Sequence, residues 1–148
     1  MLRILTPLGG RPIKATYTAS ENMVQGMSVS LDTENAEVDK ATGNGDYIVD
    51  VPKSYTGIYS VVNPKDDDFE EIASGKLVNV IPAYLGDRFA TDQVTTLGLD
   101  VGDPLTAAAG LFVKATAPST SQWVFGGTYA DPTGTLYIVE RVPSIVVT

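Results

Sequence analysis

The chain has 148 residues, with ten basic and eighteen acidic side chains, a formal charge of −8, and neither cysteine nor histidine. Disulfides, thiol nucleophiles, imidazole acid–base chemistry and Cys or His metal ligands are therefore excluded. The acidic balance opposes nucleic acid and anionic membranes as partners, since both need clustered Lys and Arg.

The length suits one domain with a real core. Fourteen glycines and nine prolines are spread along it, calling for many short elements and turns, so an all-β fold is expected. An apolar run, Leu2 to Leu5, opens the chain, followed by Pro7-Leu8-Gly9-Gly10-Arg11-Pro12, which cannot sustain a regular element. Residues 1–16 read either as an ordinary terminal tail or as an extended arm that orders against a partner subunit. This opening is too short and broken for a signal peptide, and no apolar run approaches the ~20 residues of a membrane-spanning helix, so a soluble, non-secreted product is expected. Residues 17–24 are ambiguous between strand and turn.

Met27 to Leu31 alternates strictly and predicts a half-buried strand. Asp32 to Asn35 is a polar turn, Ala36 to Ala41 a second alternating strand, Thr42 to Asp46 another turn, and Tyr47 to Val51 a third strand. Together they predict a meander. Pro52 to Gly57 breaks the pattern, and Ile58 to Val62 is a further strand. The most acidic stretch follows, Lys65 to Ser74, with Asp66, Asp67 and Asp68 in succession. A calcium loop needs alternating ligands, a central Gly and a closing Glu. Contiguous acids without flanking helices favour a solvated loop, with no metal.

Lys76 to Ala83 is a strand ended by Pro82. Leu85 to Thr116 reads as a loop carrying Gly86-Asp87-Arg88-Phe89-Ala90-Thr91-Asp92, a turn at Asp100 to Pro104, and two short strands joined at Gly110. Gln122 to Tyr129 is a strand holding the only tryptophan, Trp123, with Gly126-Gly127 marking a bulge or a close backbone approach. Asp131 to Gly134 is a turn and Leu136 to Val142 the closing strand. Pro143 to Thr148 is an apolar tail, expected to pair with something. The organisation is an arm at 1–16, a single barrel domain at 17–142, and a tail at 143–148.

One internal echo stands out. Gly26-Met27-Ser28-Val29 leads to Val38-Asp39-Lys40-Ala41-Thr42 and then Tyr47-Ile48-Val49; Gly102-Asp103-Pro104-Leu105 leads to Val113-Lys114-Ala115-Thr116 and then Trp123-Val124-Phe125. Two readings stay open: a duplicated unit, or recurrence of ordinary strand residues.

No catalytic constellation is found. Asp87/Asp92 and Asp100/Asp103 could be imagined as a glycosidase pair, but each lies in a Gly-containing turn where Asp is favoured for backbone bonding. There is no Gly-x-Ser-x-Gly, P-loop or dinucleotide fingerprint. Within the central segment, Phe89 reads as a core plug; Arg88 reads either as a partner contact or as an ion-pair partner of Asp87 or Asp92.

The order Gly86 to Asp92, then Val101 to Leu105, the Gly110 hairpin and Val113 to Thr116 resembles the small β-barrel decoration (cement) proteins of tailed-phage capsids. Gly26 to Thr42 matches more loosely, so the resemblance covers roughly a third of the chain; the acidic stretch lies outside it. It implies an all-β small barrel of short antiparallel strands, with an extended N-terminal arm and projecting loops. It implies a non-enzymatic virion protein, made in the host cytoplasm, that sits on the outer capsid surface and bridges neighbouring major capsid subunits without a cofactor. A homo-oligomer is expected, taken as a trimer. The residues expected to contact the capsid or a neighbouring subunit are Arg3, Arg11 and Lys14 of a basic arm, Arg88, and Ile145, Val146 and Val147 of the tail. The alternative is a carbohydrate- or receptor-binding β-module, with Trp123, Tyr129 and Tyr137 as an aromatic platform. Burial of Trp123 would count against that alternative.

Overall fold

The computed structural model describes residues 1–6, 15–50 and 71–148. Among them the regular structure is all β, and it is organised around two sheets. A five-stranded barrel is built from β2 (Ala15–Ala19), β4 (Ser28–Asp32), β5 (Glu37–Lys40), β6 (Tyr47–Asp50) and β8 (Leu77–Pro82), closing in the order β2-β5-β4-β6-β8. A six-stranded sheet has the order β1-β9-β13-β12-β10-β11. Its members are β1 (Leu2–Thr6), β9 (Arg88–Thr91), β10 (Pro104–Ala108), β11 (Leu111–Lys114), β12 (Ser119–Asp131) and β13 (Gly134–Val147). A small pair, β3 (Met23–Val24) with β7 (Glu71–Ile72), lies beside the barrel strands in sequence. The all-β small barrel is thus the fold. The expected strand Ile58 to Val62, the aspartates 66–68, Arg11 and Lys14 lie outside the described residues.

Four readings change. The three strands from 28 to 50 are not a meander, because β4 is the middle one, pairing with β5 on one side and β6 on the other. Closure brings β2 against β5 in parallel, so pairing is not antiparallel throughout. The segment Gly86 to Asp92 is not simply a loop: Arg88–Thr91 is β9, paired to both β1 and β13. Nor do residues 1–6, 15–16 and 143–148 stand apart from the sheets as an arm and a tail. Leu2–Thr6 pairs with β9, Ala15–Ala19 is a barrel strand, and Ile145 to Val147 pair with Ser121 to Ser119 as the end of β13.

The echo in the sequence is a repeated fold. Val29 pairs with Lys40 and with Tyr47; Leu105 pairs with Lys114 and with Trp123. Gly26 N–H donates to Val49 O and Gly102 N–H to Phe125 O; Val49 N–H donates to Met27 O and Phe125 N–H to Asp103 O. Both glycines are left-handed, with φ of 91° and 95°. The match continues outward, since β8 flanks β6 as β13 flanks β12. The parallel pairing of Ala19 with Val38 is answered by the parallel bridge of Val94 with Phe112. Each half is the same five-strand unit, closed in the first and held by a single bridge in the second.

Side-chain alternation then explains how the two units pack against each other. Successive strand residues point to opposite faces. Val49 and Val80 fill the barrel together with Val29, Val38 and Val78. Their neighbours Ile48 and Ile81 face outward and pack into a second cluster with Phe89, Leu105, Phe112, Trp123 and Val139. Strands β6 and β8 are therefore covered on both faces, and the junction between halves is apolar.

Candidate interaction surface

Trp123 is fully buried at this junction. Its indole N–H donates to Gly45 O at 3.1 Å, Phe112 meets it edge-on at 5.1 Å, and the Arg141 guanidinium lies over its ring at 5.1 Å. Arg141, also buried, donates to the same Gly45 O at 2.9 Å and to Asp46 and Gln122 at 2.5 Å. Next to them, Asn44 donates to Thr120 O and accepts from Gln122 N–H, both at 2.9 Å. Gly45 is itself tightly enclosed: a Cβ there would lie 2.2 Å from Ser28 Oγ. The turn 44–46 of the first half is thus bolted to the base of β12 and β13 in the second. An aromatic platform centred on Trp123 is not available, and Tyr129 and Tyr137 are only partly exposed.

The expected contact residues separate into two groups. Arg3 forks onto Asp131, with Nε–Oδ1 at 2.8 Å and Nη2–Oδ2 at 3.3 Å, fastening β1 to the β12–β13 turn. Arg3 and Thr133 together hold the Asp131 carboxyl at a pKa of about 2. Arg88 pairs across strands with Glu140 at 3.4 Å, not with Asp87 or Asp92. Both arginines are therefore engaged within the chain. Ile145 and Val146 are exposed, at 37% and 70%, whereas Val147 is half-buried.

The carboxylates considered as an acid–nucleophile pair are held by local structure. Asp87 accepts from Tyr84 N–H, and Asp92 lies 2.8 Å from the Met1 amino group. Asp103 accepts from Asp100 N–H and pairs with Lys114 at 2.6 Å, which together hold its pKa below the usual carboxylate value. The turn explanation accounts for all of these bonds except the ion pairs, which tie the turns to the rest of the sheet. No group of three or more acidic residues converges to hold a metal ion among the described residues. A groove of about 480 Å³ beside β3 and β7 is lined mainly by Met23, Met27, Ile72 and Lys40, but its one cation is committed to Glu21.

The surface contains apolar side chains that the sequence reading passed over. Tyr84 and Leu85, in the loop before β9, are 51% and 59% exposed; Leu97 and Val101, in the loop before β10, are 91% and 74% exposed. They sit in turn-rich segments with no periodicity, where composition alone does not separate a surface apolar residue from a core one. Arg141 was also overlooked, because a lone Arg in a closing strand gives no sign of burial. No family model and no curated protein matches the chain.

Proposed function

We propose that the protein is a non-enzymatic attachment protein that binds an assembled protein lattice, in the manner of the phage capsid decoration proteins its central motifs resemble. The observation carrying this reading is the division of labour among its side chains. Trp123 is fully buried, and Arg3, Lys40, Arg88, Lys114 and Arg141 each lie 2.5–3.5 Å from a carboxylate of the same chain. The surface also carries exposed apolar residues in loops and at a strand end, among them Tyr84, Leu85, Leu97, Val101 and Val146, on a body of charge −8. Such a surface suits a large, relatively apolar or basic protein face better than a sugar, which needs exposed aromatic rings and convergent polar groups.

A partner that binds assembled lattice and not free subunits stabilises the assembly by mass action. In this reading the partner is the major capsid protein, the site of action is the outer face of the virion, and copies of this chain associate as a homo-oligomer. Co-sedimentation of the purified protein with shells that lack it tests the reading. Saturable binding to shells, and none to free capsid subunits, is expected. Absence of binding to shells, or specific retention by immobilised glycans, would overturn it.

A further inference from the structure

Every residue of the turn from Gly43 to Asp46 is held by the second half. Gly43 exchanges main-chain bonds with Ala107, its N–H donating at 2.8 Å and its carbonyl accepting at 2.6 Å. Asn44 uses both ends of its amide: Nδ2 donates to Thr120 O and Oδ1 accepts from Gln122 N–H, both at 2.9 Å. Gly45 O accepts from Trp123 and Arg141, and the Asp46 carboxylate accepts from Arg141 as well.

The two central residues answer separate demands. Position 44 must offer a donor and an acceptor at once, which a short amide does. Position 45 has no room for a side chain, since a Cβ would lie 2.2 Å from Ser28 Oγ, 2.8 Å from Ala41 Cβ and 3.0 Å from Val29 O. Together these demands set Asn directly before Gly. That pair is chemically labile, because no side chain on Gly hinders its nitrogen from reaching the preceding amide carbon. The four other asparagines precede Met23, Ala36, Pro64 and Val80. Proline has no N–H and the other three carry side chains, which makes Asn44 the preferred target in the unfolded chain.

We propose that Asn44 is a deamidation site that the junction between the two halves keeps shut. In the reaction the Gly45 nitrogen loses its proton and bonds to Asn44 Cγ. The bond from Cγ to Nδ2 breaks, and Nδ2 takes up a proton and leaves as ammonia. Water then opens the succinimide at either carbonyl, leaving an aspartyl or isoaspartyl residue at position 44. In the fold, the nitrogen that must depart is the one donating to Thr120 O. Ring closure must also carry Cγ to bonding distance of Gly45 N while Oδ1 is tied to Gln122 and residues 43 and 45 are clamped. The reaction is therefore confined to moments when the turn lifts off β12. Its product cannot refasten. A carboxylate still accepts from Gln122 N–H but has no hydrogen for Thr120 O, and it adds negative charge next to Asp46. Conversion thus loosens the junction permanently.

The test follows deamidation by mass in the peptide between Lys40 and Lys53 during ageing in mildly alkaline buffer. Four samples are compared: the native chain folded, the native chain unfolded in guanidinium, Arg141→Ala and Val38→Ala. The unfolded chain should convert first at Asn44, and folding should slow that conversion by a factor of about ten or more. Arg141→Ala removes one of the two donors to Gly45 O and should recover more of the unfolded rate than Val38→Ala, a barrel-core change that leaves the bonds of the turn in place. Asn44→Asp, the product made directly, should melt below the native chain. The proposal fails if the folded native chain converts as fast as the unfolded one, or if the unfolded chain converts elsewhere first. It fails equally if Arg141→Ala converts no faster than Val38→Ala. Native melting of Asn44→Asp would refute the loosening of the junction.

Discussion

Arg141 lies over the face of Trp123, 5.1 Å from guanidinium carbon to ring centroid, and both side chains donate to the carbonyl of Gly45. One carbonyl of the first half thereby anchors two buried side chains on β12 and β13 of the second. Replacing Arg141 by Ala removes the ring contact, the bond to Gly45 and the packing of the aliphatic stem, while Asp46 stays solvated. A loss of about 2–4 kcal/mol is expected. Urea unfolding checks it, and Arg141→Met, which restores the stem alone, should recover part of the loss.

The opening strand is part of the sheet and not an appendage. Leu2 is buried in the junction core beside Phe89 and Val139, and its strand continues through Ile4 and Thr6 against β9. Leu2→Ala should cost about 2–4 kcal/mol, as for other buried leucines. Removal of residues 1–6 should lower the melting temperature clearly, measured by calorimetry. An unchanged melting temperature would mean that β1 does not hold its place in the sheet.

Asp131 links that strand to the β12–β13 turn. Its pKa of about 2, set first by Arg3 and then by Thr133, lies below the ordinary value of 3.8. A carboxyl depressed by folding contributes stability that is fully present above its unfolded pKa and is lost as the pH falls toward the folded one. Stability supplied by this pair should therefore fade between about pH 4 and pH 2. Arg3→Ala should raise the Asp131 pKa toward 3.8 and flatten that part of the pH profile, as followed by carboxyl-carbon NMR.

The repeat supplies its own control for backbone strain. Gly26 and Gly102 occupy matching positions with nearly equal φ. A Cβ at Gly26 would lie 2.1 Å from Thr91 Oγ1, whereas one at Gly102 meets nothing within 4 Å. Gly102→Ala should cost about 1–2 kcal/mol, the left-handed penalty alone. Gly26→Ala should cost more, because Thr91 also donates to Gly26 O at 3.2 Å and must move. Equal losses by chemical denaturation would contradict this account of Gly26.

Much of the strand content was legible because alternation survives wherever one face meets solvent. Glu37–Lys40 and the Gly110 hairpin are examples, and the bulge at Gly126-Gly127 appears as a register shift between Phe125 and Gly127. Partners were not legible. Nothing local in Ser28–Asp32 says that it is a central strand, or that Thr18 and Ala19 run parallel to β5, because those choices are made by the closure of the barrel. The echo was readable as residues but not as architecture, since its two gaps differ in length while the register they produce is the same. The candidate surface was read least well. Arg3 read as a contact of a free arm, and Arg88 as a partner contact or the ion-pair partner of a nearby aspartate; they are paired by residues 128 and 52 positions away. The tail residues, expected to wait for a partner strand, already have one on one side.

The central claim, that the protein acts by attaching to an assembled shell, is tested most directly by the heat stability of that shell. Shells lacking the protein are titrated with it and their disassembly temperature is followed by light scattering. Binding to the lattice alone predicts a rise in disassembly temperature that grows with protein concentration and levels off at a fixed number of copies per shell. A disassembly temperature that does not move at saturating protein would contradict the account.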